Sequence, residues 1–252
     1  MAQTFALIPA HNEILTVQQV VKETTALVDQ VIVVDDGSTD GTAASLSKSG
    51  AIVLRHEDNI GKGHRLVEGF EAAIDKGATA VIVLDADMQH DPADIPKFLA
   101  KHADNPEAIV IGDRSADMEN MPGSRRKGIK FGNFFIGWAC GRRINDAQCG
   151  MRLYPAVALE RVTVPKRHVG RFKFETAVLL YAAEHNIPFE YVPLKARYEG
   201  FVLRPSHFDP VRDFMRLFGL VTEFLVLRGL RPMGFLAAFG IIDQKLNRGD
   251  TK

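Results

Sequence analysis

The sequence predicts an α/β domain on a mostly parallel central sheet, followed by C-terminal amphipathic helices. Three observations predict it. Short apolar, β-branched runs alternate with amphipathic stretches of helical period. The runs are apolar at consecutive positions rather than alternate ones, as strands buried on both faces are. Several end in acids followed by Gly-, Ser- or Pro-containing turns, and in open α/β sheets ligands gather at the carboxyl ends of strands.

VIVLDADMQHDP, residues 81–92, is the clearest case. Val81 to Leu84 deliver Asp85, Asp87, Gln89, His90 and Asp91 at a strand end. Asp85 and Asp87 are two apart in extended chain, so they share a side, and their repulsion calls for a cation. Mg2+ or Mn2+ suits such oxygen ligands together with the oxygens of a diphosphate. The plainer alternative is a solvated acidic turn, with Asp91 and Pro92 starting a helix that runs to about His102.

The other elements follow in order. TFALIPA (4–10) reads as a first buried strand stopped by Pro9, with His11, Asn12 and Glu13 at its end. Val17, Val20, Val21 and Val28 then recur at helical spacing, and Asn12 and Glu13 could simply cap that helix. VIVVDDGSTDGT (31–42) repeats the plan, and an acid ending a second strand is placed to accept from ribose or base. Its glycines do not form GxGxxG, which weakens a dinucleotide-binding reading. AIVLRH (51–56) is a third strand; in NIGKG (59–63), Gly61 and Gly63 allow close backbone approach and Lys62 could sit near phosphate. The alternative there is an ordinary helix start.

AIVIG (108–112) is a further strand. Residues 113–128 are polar and aperiodic, which predicts a mobile loop over the ligand edge. Arg114, Arg125, Arg126 and Lys127 concentrate charge there as anion binding requires, although solvated loops also carry such runs. Phe131–Cys140 is an apolar helix, and INDAQCGMRLY (144–154) sets Asp146, Gln148 and Arg152 around a Cys-Gly turn. FKFETAVLLYAAEHN (172–186) is a helix with Glu175 in its first turn, where the helix dipole alone would favour an acid. IPFEYVPLKARY (187–198) is a late strand.

Lys+Arg and Asp+Glu are 31 each, and that balance argues against a nucleic-acid binder working through bulk positive field. Cys140 and Cys149 are too few for a disulfide framework and lack zinc spacing, so a reducing compartment is expected. The N-terminal MAQTFALIPAHNE has no signal-peptide pattern. The chain divides into a domain of residues 1–203 and a tail of 204–252. That tail sets Phe214, Met215, Phe218, Val221, Phe224 and Leu225 at helical spacing among Arg212, Arg216, Arg228 and Arg231. Its longest uncharged stretch, Pro232–Ile242, is about half of what a bilayer span needs. The tail is expected at a membrane interface, against the domain or against a second subunit.

Taken together, IPAHNE (8–13), VVDDGSTDGT (33–42), NIGKG (59–63), LDADMQHDP (84–92), IGDR (111–114), DAQCGMRLY (146–154) and FKFE (172–175) resemble the family 2 glycosyltransferases. The likeness is strongest to the dolichol-phosphate and polyprenyl-phosphate sugar transferases. It implies a GT-A fold, a single nucleotide-binding domain, and inverting transfer of a sugar from a nucleotide diphosphate donor. By that resemblance Pro9, His11, Glu13, Val34 and Asp36 would cradle the nucleoside, with His11 where relatives often have Tyr. Asp85 and Ala86 would contact the donor, Asp87 and Gln89 would hold the cation, and Arg114 would meet phosphate. Two departures stand out. Asp113 replaces the Ser of the usual Gly-Ser-Arg, and the Arg and Ser-Lys pair that relatives carry after the late strand have only Arg197 or Arg204, Ser206 and His207 as counterparts.

A lipid-phosphate acceptor is already an anion and needs positioning by Arg114, Arg126, Arg204 and Ser206 rather than a base. A hydroxyl acceptor needs a carboxylate, either Glu175 or Asp146. The arginines favour a polyprenyl phosphate, and with it a peripheral place at the cytoplasmic face of a membrane or beside an integral membrane partner. A non-catalytic nucleotide-sugar scaffold would have no need of Asp87 and Gln89. A nucleotidyltransferase would want a glycine-rich phosphate loop where IPAHNE stands.

Overall fold

The computed structural model describes residues 3–116, 123–170, 173–195 and 212–242. Seven strands form one sheet in the order β3-β2-β1-β4-β6-β5-β7. In chain order they are β1 (Thr4–Ala10), β2 (Gln30–Asp35), β3 (Ile52–Arg55), β4 (Ala80–Val83), β5 (Ile109–Asp113), β6 (Arg152–Pro155) and β7 (Phe189–Pro193). All pairings are parallel except those of β6, which runs antiparallel to both β4 and β5. The expected mostly parallel α/β sheet is therefore observed.

Consecutive apolar residues work here because both faces are covered. Phe5, Leu7, Ile32, Val34, Val81 and Val83 face one core, while Ala6, Ile8, Val31, Val33, Ile82 and Leu84 face the other. Helices α3 (Lys62–Asp75), α5 (Gly123–Cys140) and α7 (Lys173–Glu184) fill the first side; α1 (Val17–Thr25) and α4 (Ile95–Asp104) fill the second. Short α2 (Thr42–Ser45) and α6 (Ala156–Arg161) complete the connections. The tail folds back as α8 (Arg212–Leu227) and α9 (Pro232–Ala238). Leu220, Val221, Phe224 and Leu225 of α8 belong to the same core as α5 and α7, so packing on the domain is one of its roles.

Several expected boundaries shift. Residues 113–128 are not all loop: α5 begins at Gly123, eight residues before the expected Phe131. Its first turns hide from a periodicity reading because Gly123 and Gly128 interrupt them and Ile129 is their one buried apolar side chain among those described. The helix expected from Pro92 opens as a 3-10 turn, with Asp91 accepting from the Ala93 N–H at 3.0 Å, and becomes α-helical at Ile95. Strand β6 lay unread in INDAQCGMRLY because a charged Arg152 opens it and Pro155 ends it after four residues. The late strand stops at Pro193; residues 196–198 of its expected span, with Arg197, and also Arg204, Ser206 and His207, lie outside the described residues.

Candidate active site

Parallel strands β1, β2, β4 and β5 end on one edge, and antiparallel β6 begins there. The turn before β6 therefore arrives beside Asp85. Gly150 makes this possible, since a Cβ on it would lie 2.4 Å from Asp85 Oδ2 and 3.2 Å from His90 Cε1. Arg152, fully buried, holds the turn by donating to the carbonyls of Ala147 (2.7 Å) and Cys149 (2.9 Å). Its third donor reaches the Glu175 carbonyl at 2.7 Å, tying the turn to the start of α7.

Lys62 lies at the centre. Its ammonium donates to Asp85 Oδ1 at 2.6 Å and sits 3.0 Å from Glu175 Oε1. Backbone geometry builds this placement: Gly61 has φ 100°, and a Cβ on Gly63 would lie 1.9 Å from the Val169 carbonyl oxygen and 2.9 Å from Phe174 Cβ, so only glycine lets α3 approach the start of α7 and the turn before it. Burial alone would lower the Lys62 pKa, but the two carboxylates outweigh it and raise it well above the usual range. Burial likewise opposes ionisation of Asp85, yet Lys62, His90 and Arg114 bring it down to about 2. Asp87 goes the other way, pushed up to about 6 by burial and by its neighbours Asp85 and Glu13. His90 is held neutral, its pKa lowered to about 4 by burial.

Met88 between Asp87 and Gln89 has φ 63° and is buried. A bulky residue in that conformation is strained, and such strain collects at functional loops. Asn12, with φ 57°, shapes the neighbouring loop; its backbone N–H donates to Ser38 Oγ and its Oδ1 accepts from Thr39 N–H. His11 Nδ1 lies 2.8 Å from the Asp36 carbonyl oxygen.

Of the expected residues, Lys62, Asp85, Glu175, Arg114 and Asp146 come together, and several make contacts within the protein other than those expected. Arg114, expected at phosphate, is clasped by buried Asp146 through Nε (2.7 Å) and Nη2 (3.1 Å). Asp146 also accepts from the Arg114 and Gln148 N–H groups, so its carboxylate is engaged within the protein. Lys62 meets carboxylates where phosphate was expected. Asp36, expected at the nucleoside, accepts from Ile60 N–H (2.9 Å), Gly61 N–H (2.8 Å) and Arg65 Nε (2.8 Å), so its carboxylate clasps the Gly-Lys-Gly loop. The Val34 side chain is wholly in the core. Asp113, the departure beside Arg114, is occupied by Ser115 N–H and Asn145 Nδ2.

Residues 5–163, well over half of the chain, match the family described as glycosyl transferase family 2. The chain belongs to that family. The undecaprenyl-phosphate 4-deoxy-4-formamido-L-arabinose transferase of Proteus mirabilis (strain HI4320) is 30% identical over 248 residues, 94% of this chain and 71% of its own. The UDP-N-acetylglucosamine--dolichyl-phosphate N-acetylglucosaminyltransferase of Methanococcus voltae is 28% identical over 221 residues, covering 78% and 86%. Among solved folds, glucosyl-3-phosphoglycerate synthase from Mycobacterium tuberculosis, in complex with Mn2+, UDP-glucose and phosphoglyceric acid, aligns at TM-score 0.63 and 20% identity, covering 96% of this chain and 81% of that one. The glycosyltransferase thus has the GT-A architecture expected of its family.

Sequence reasoning left Asn133 of this glycosyltransferase without a role. It is buried on α5, accepts from Ala147 N–H at 3.0 Å and donates to the Asn145 carbonyl. A polar residue inside an otherwise apolar helical run was the available signal. Cys149, with its thiol 3.8 Å from His90 Nε2, gave no signal beyond its place before Gly150.

Proposed function

We propose that this glycosyltransferase moves a hexose from a nucleotide diphosphate sugar, of the GDP-mannose or UDP-glucose type, to a polyprenyl phosphate with inversion. The observation that carries this reading is the commitment of Asp146 to Arg114. It removes one of the two carboxylates a hydroxyl acceptor could have used as base, and Lys62 holds the other, Glu175. A phosphate acceptor needs neither. Relatives named for dolichyl-phosphate and undecaprenyl-phosphate transfer support it.

An oxygen of the acceptor phosphate attacks the anomeric carbon, the bond from that carbon to the diphosphate breaks, and its electron pair leaves with the nucleotide. Arg114 and Arg126 orient the two anionic groups, and the Asp146 clasp sets the guanidinium plane of Arg114. Asp87 and Gln89 fit a hard cation, because crowding by Asp85 and Glu13 leaves the Asp87 carboxylate in need of positive charge. Mg2+ or Mn2+ held there would neutralise charge on the leaving diphosphate. Among the described residues no three His, Cys, Asp or Glu side chains form a ready cage, so donor oxygens would complete the shell. The transferase unit on this reading is residues 1–203, with 204–252 as a tail working at a membrane surface.

A hydroxyl acceptor with Glu175 as base is the second reading, favoured by one observation: Glu175 Oε2 is buried without a hydrogen-bond partner. Transfer of labelled sugar to polyprenyl phosphate, run beside a polyprenol, separates the two. Transfer to polyprenyl phosphate that survives Glu175→Gln is expected. Transfer to the alcohol alone, lost in Glu175→Gln, would refute the phosphate reading.

A further inference from the structure

Apart from Leu15, Ile60 and Val157, every large apolar side chain exposed among the described residues lies on α5, α8, α9 or just beside them. The aromatic ones join in a continuous row. Phe131 stacks on Phe135, Phe135 on Phe218, and Trp138 joins Phe135 to Phe235 and so to Phe239. A contiguous patch of this kind marks an interaction site. The turn from α8 to α9 adds a second, independent sign. Gly229, Leu230 and Arg231 all have positive φ (63°, 60° and 39°), and this strained turn presents Leu230 at 56% exposure beside Leu227 at 72%. Trp138 Nε1 fixes the turn by donating to the Leu230 carbonyl at 2.7 Å, so the exposure is built rather than incidental.

Charge selects the partner. Residues 123–143 hold six basic side chains and no acid, and residues 224–242 hold no acid either. Exposed Lys127 and Lys130 lie one helical turn from Phe131 or next to it. Residues 212–223 are balanced, Arg212 and Arg216 against Asp213 and Glu223, and Glu223 pairs with His168 and Arg167. No helix among the described residues is long and apolar enough to cross a membrane.

We propose that the face made by α5, α8 and the α8–α9 turn docks on an anionic lipid bilayer, with Leu227, Leu230 and Phe131 entering the interface and Lys127 and Lys130 meeting headgroups. This deepens the reading of a lipid-phosphate acceptor and rests on it. Arg126 precedes Phe131 on α5 by five residues, about 7 to 8 Å along a helix axis. A polyprenyl chain held in the bilayer would then bring its phosphate to the cation on the same helix.

The test is flotation of the full chain with phosphatidylglycerol/phosphatidylcholine vesicles and with phosphatidylcholine alone, at low and high salt. Binding to the anionic vesicles, weakened by salt, is expected. Lys127→Gln and Lys130→Gln should each cost about five-fold in vesicle affinity, and Leu227→Glu/Leu230→Glu more than about ten-fold at unchanged melting temperature. Equal binding to neutral vesicles overturns the charge selection. A chain that stays unbound at low salt, or that instead pairs with a second copy in sedimentation and loses the pairing in Leu227→Glu/Leu230→Glu, overturns the docking. Transfer to a detergent-solubilised short-chain polyprenyl phosphate, measured in parallel, reports on the acceptor separately.

Discussion

Arg114→Ala is the perturbation in which stability and chemistry are most entangled. Removing the guanidinium takes two charge-assisted contacts from Asp146, whose side chain is fully buried, and leaves it only the Arg114 and Gln148 N–H groups. Breaking one side of a buried pair costs roughly 3–5 kcal/mol, because the remaining charge has no counter-ion. For a chain of this size that corresponds to a fall of roughly 6–20 °C in melting temperature, at about 2–4 °C per kcal/mol. Lost contacts to phosphate should separately lower kcat/KM by about 10- to 150-fold, equivalent to roughly 1.5–3 kcal/mol for a hydrogen bond to a charged group. The double variant Arg114→Met/Asp146→Leu separates the two effects. An apolar pair removes the orphaned carboxylate and should recover part of the melting temperature, limited by the two N–H groups left without Asp146, yet recover no transfer. The assays are differential scanning fluorimetry and single-turnover transfer of labelled sugar. Wild-type melting in Arg114→Ala would refute the buried-pair argument; recovered transfer in the double variant would remove Arg114 from the phosphates.

Asp87→Ala should abolish the dependence of nucleotide diphosphate binding on Mg2+ or Mn2+; equal affinity of the wild type with cation and with chelator, measured by calorimetry, would remove the cation from the site. Gly150→Ala places a Cβ 2.4 Å from Asp85 Oδ2 and should weaken donor affinity by more than about ten-fold through displaced Asp85, a result that unchanged calorimetric affinity would contradict. Burial pushes the Cys149 thiol up to about 11 and Cys140 to about 12. Both folded values lie above the ordinary thiol range, so their contribution to stability is intact below about pH 8.5 and is lost as pH rises toward the folded values. Neither thiol should react with a disulfide reagent at pH 8 until denaturant is added, and rapid labelling of the native protein would show that one of them is reachable.

Strands β1, β2, β4 and β5 were legible because burial on both faces writes itself as runs of apolar, largely β-branched residues, a signal needing no tertiary knowledge; the half-buried edge strand β3 carries a similar Ile-Val-Leu run. Strand β6 was not, since a buried arginine satisfied by three carbonyls looks in sequence like a surface residue. The acids of the site were legible as types at strand ends. Their division of labour was not, because it depends on which cation each one meets. Asp36 and Asp85 both follow apolar strands, yet one clasps a loop through backbone N–H groups and Arg65, and the other holds Lys62. Gly63 and Gly150 could be read only as permissive positions. What they permit, contact with the Val169 carbonyl and with Asp85, requires the turn before α7 and the turn before β6 to be in place.

On the proposed reading, charge balance at the ligand edge gives a cation a place in the mechanism. Lys62 and Arg114 supply two positive charges, and each is already held by acids: Asp85 and Glu175 on one, Asp146 on the other. With Asp87 added and His90 neutral, these residues carry an excess of acid before any substrate arrives. A donor diphosphate and an acceptor phosphate would bring further negative charge into a partly buried space where such repulsion is poorly screened. The Lys62 and Arg114 pairs fix the shape of the site but offer little net attraction for a polyanion. On that reading, positive charge would come from outside these pairs. The place where it gains most is Asp87, the one carboxylate of the group raised to about 6, since a cation there relieves its crowding with Asp85 and Glu13 while binding the diphosphate. Arg126, at the head of α5, would then be left to meet the second anion.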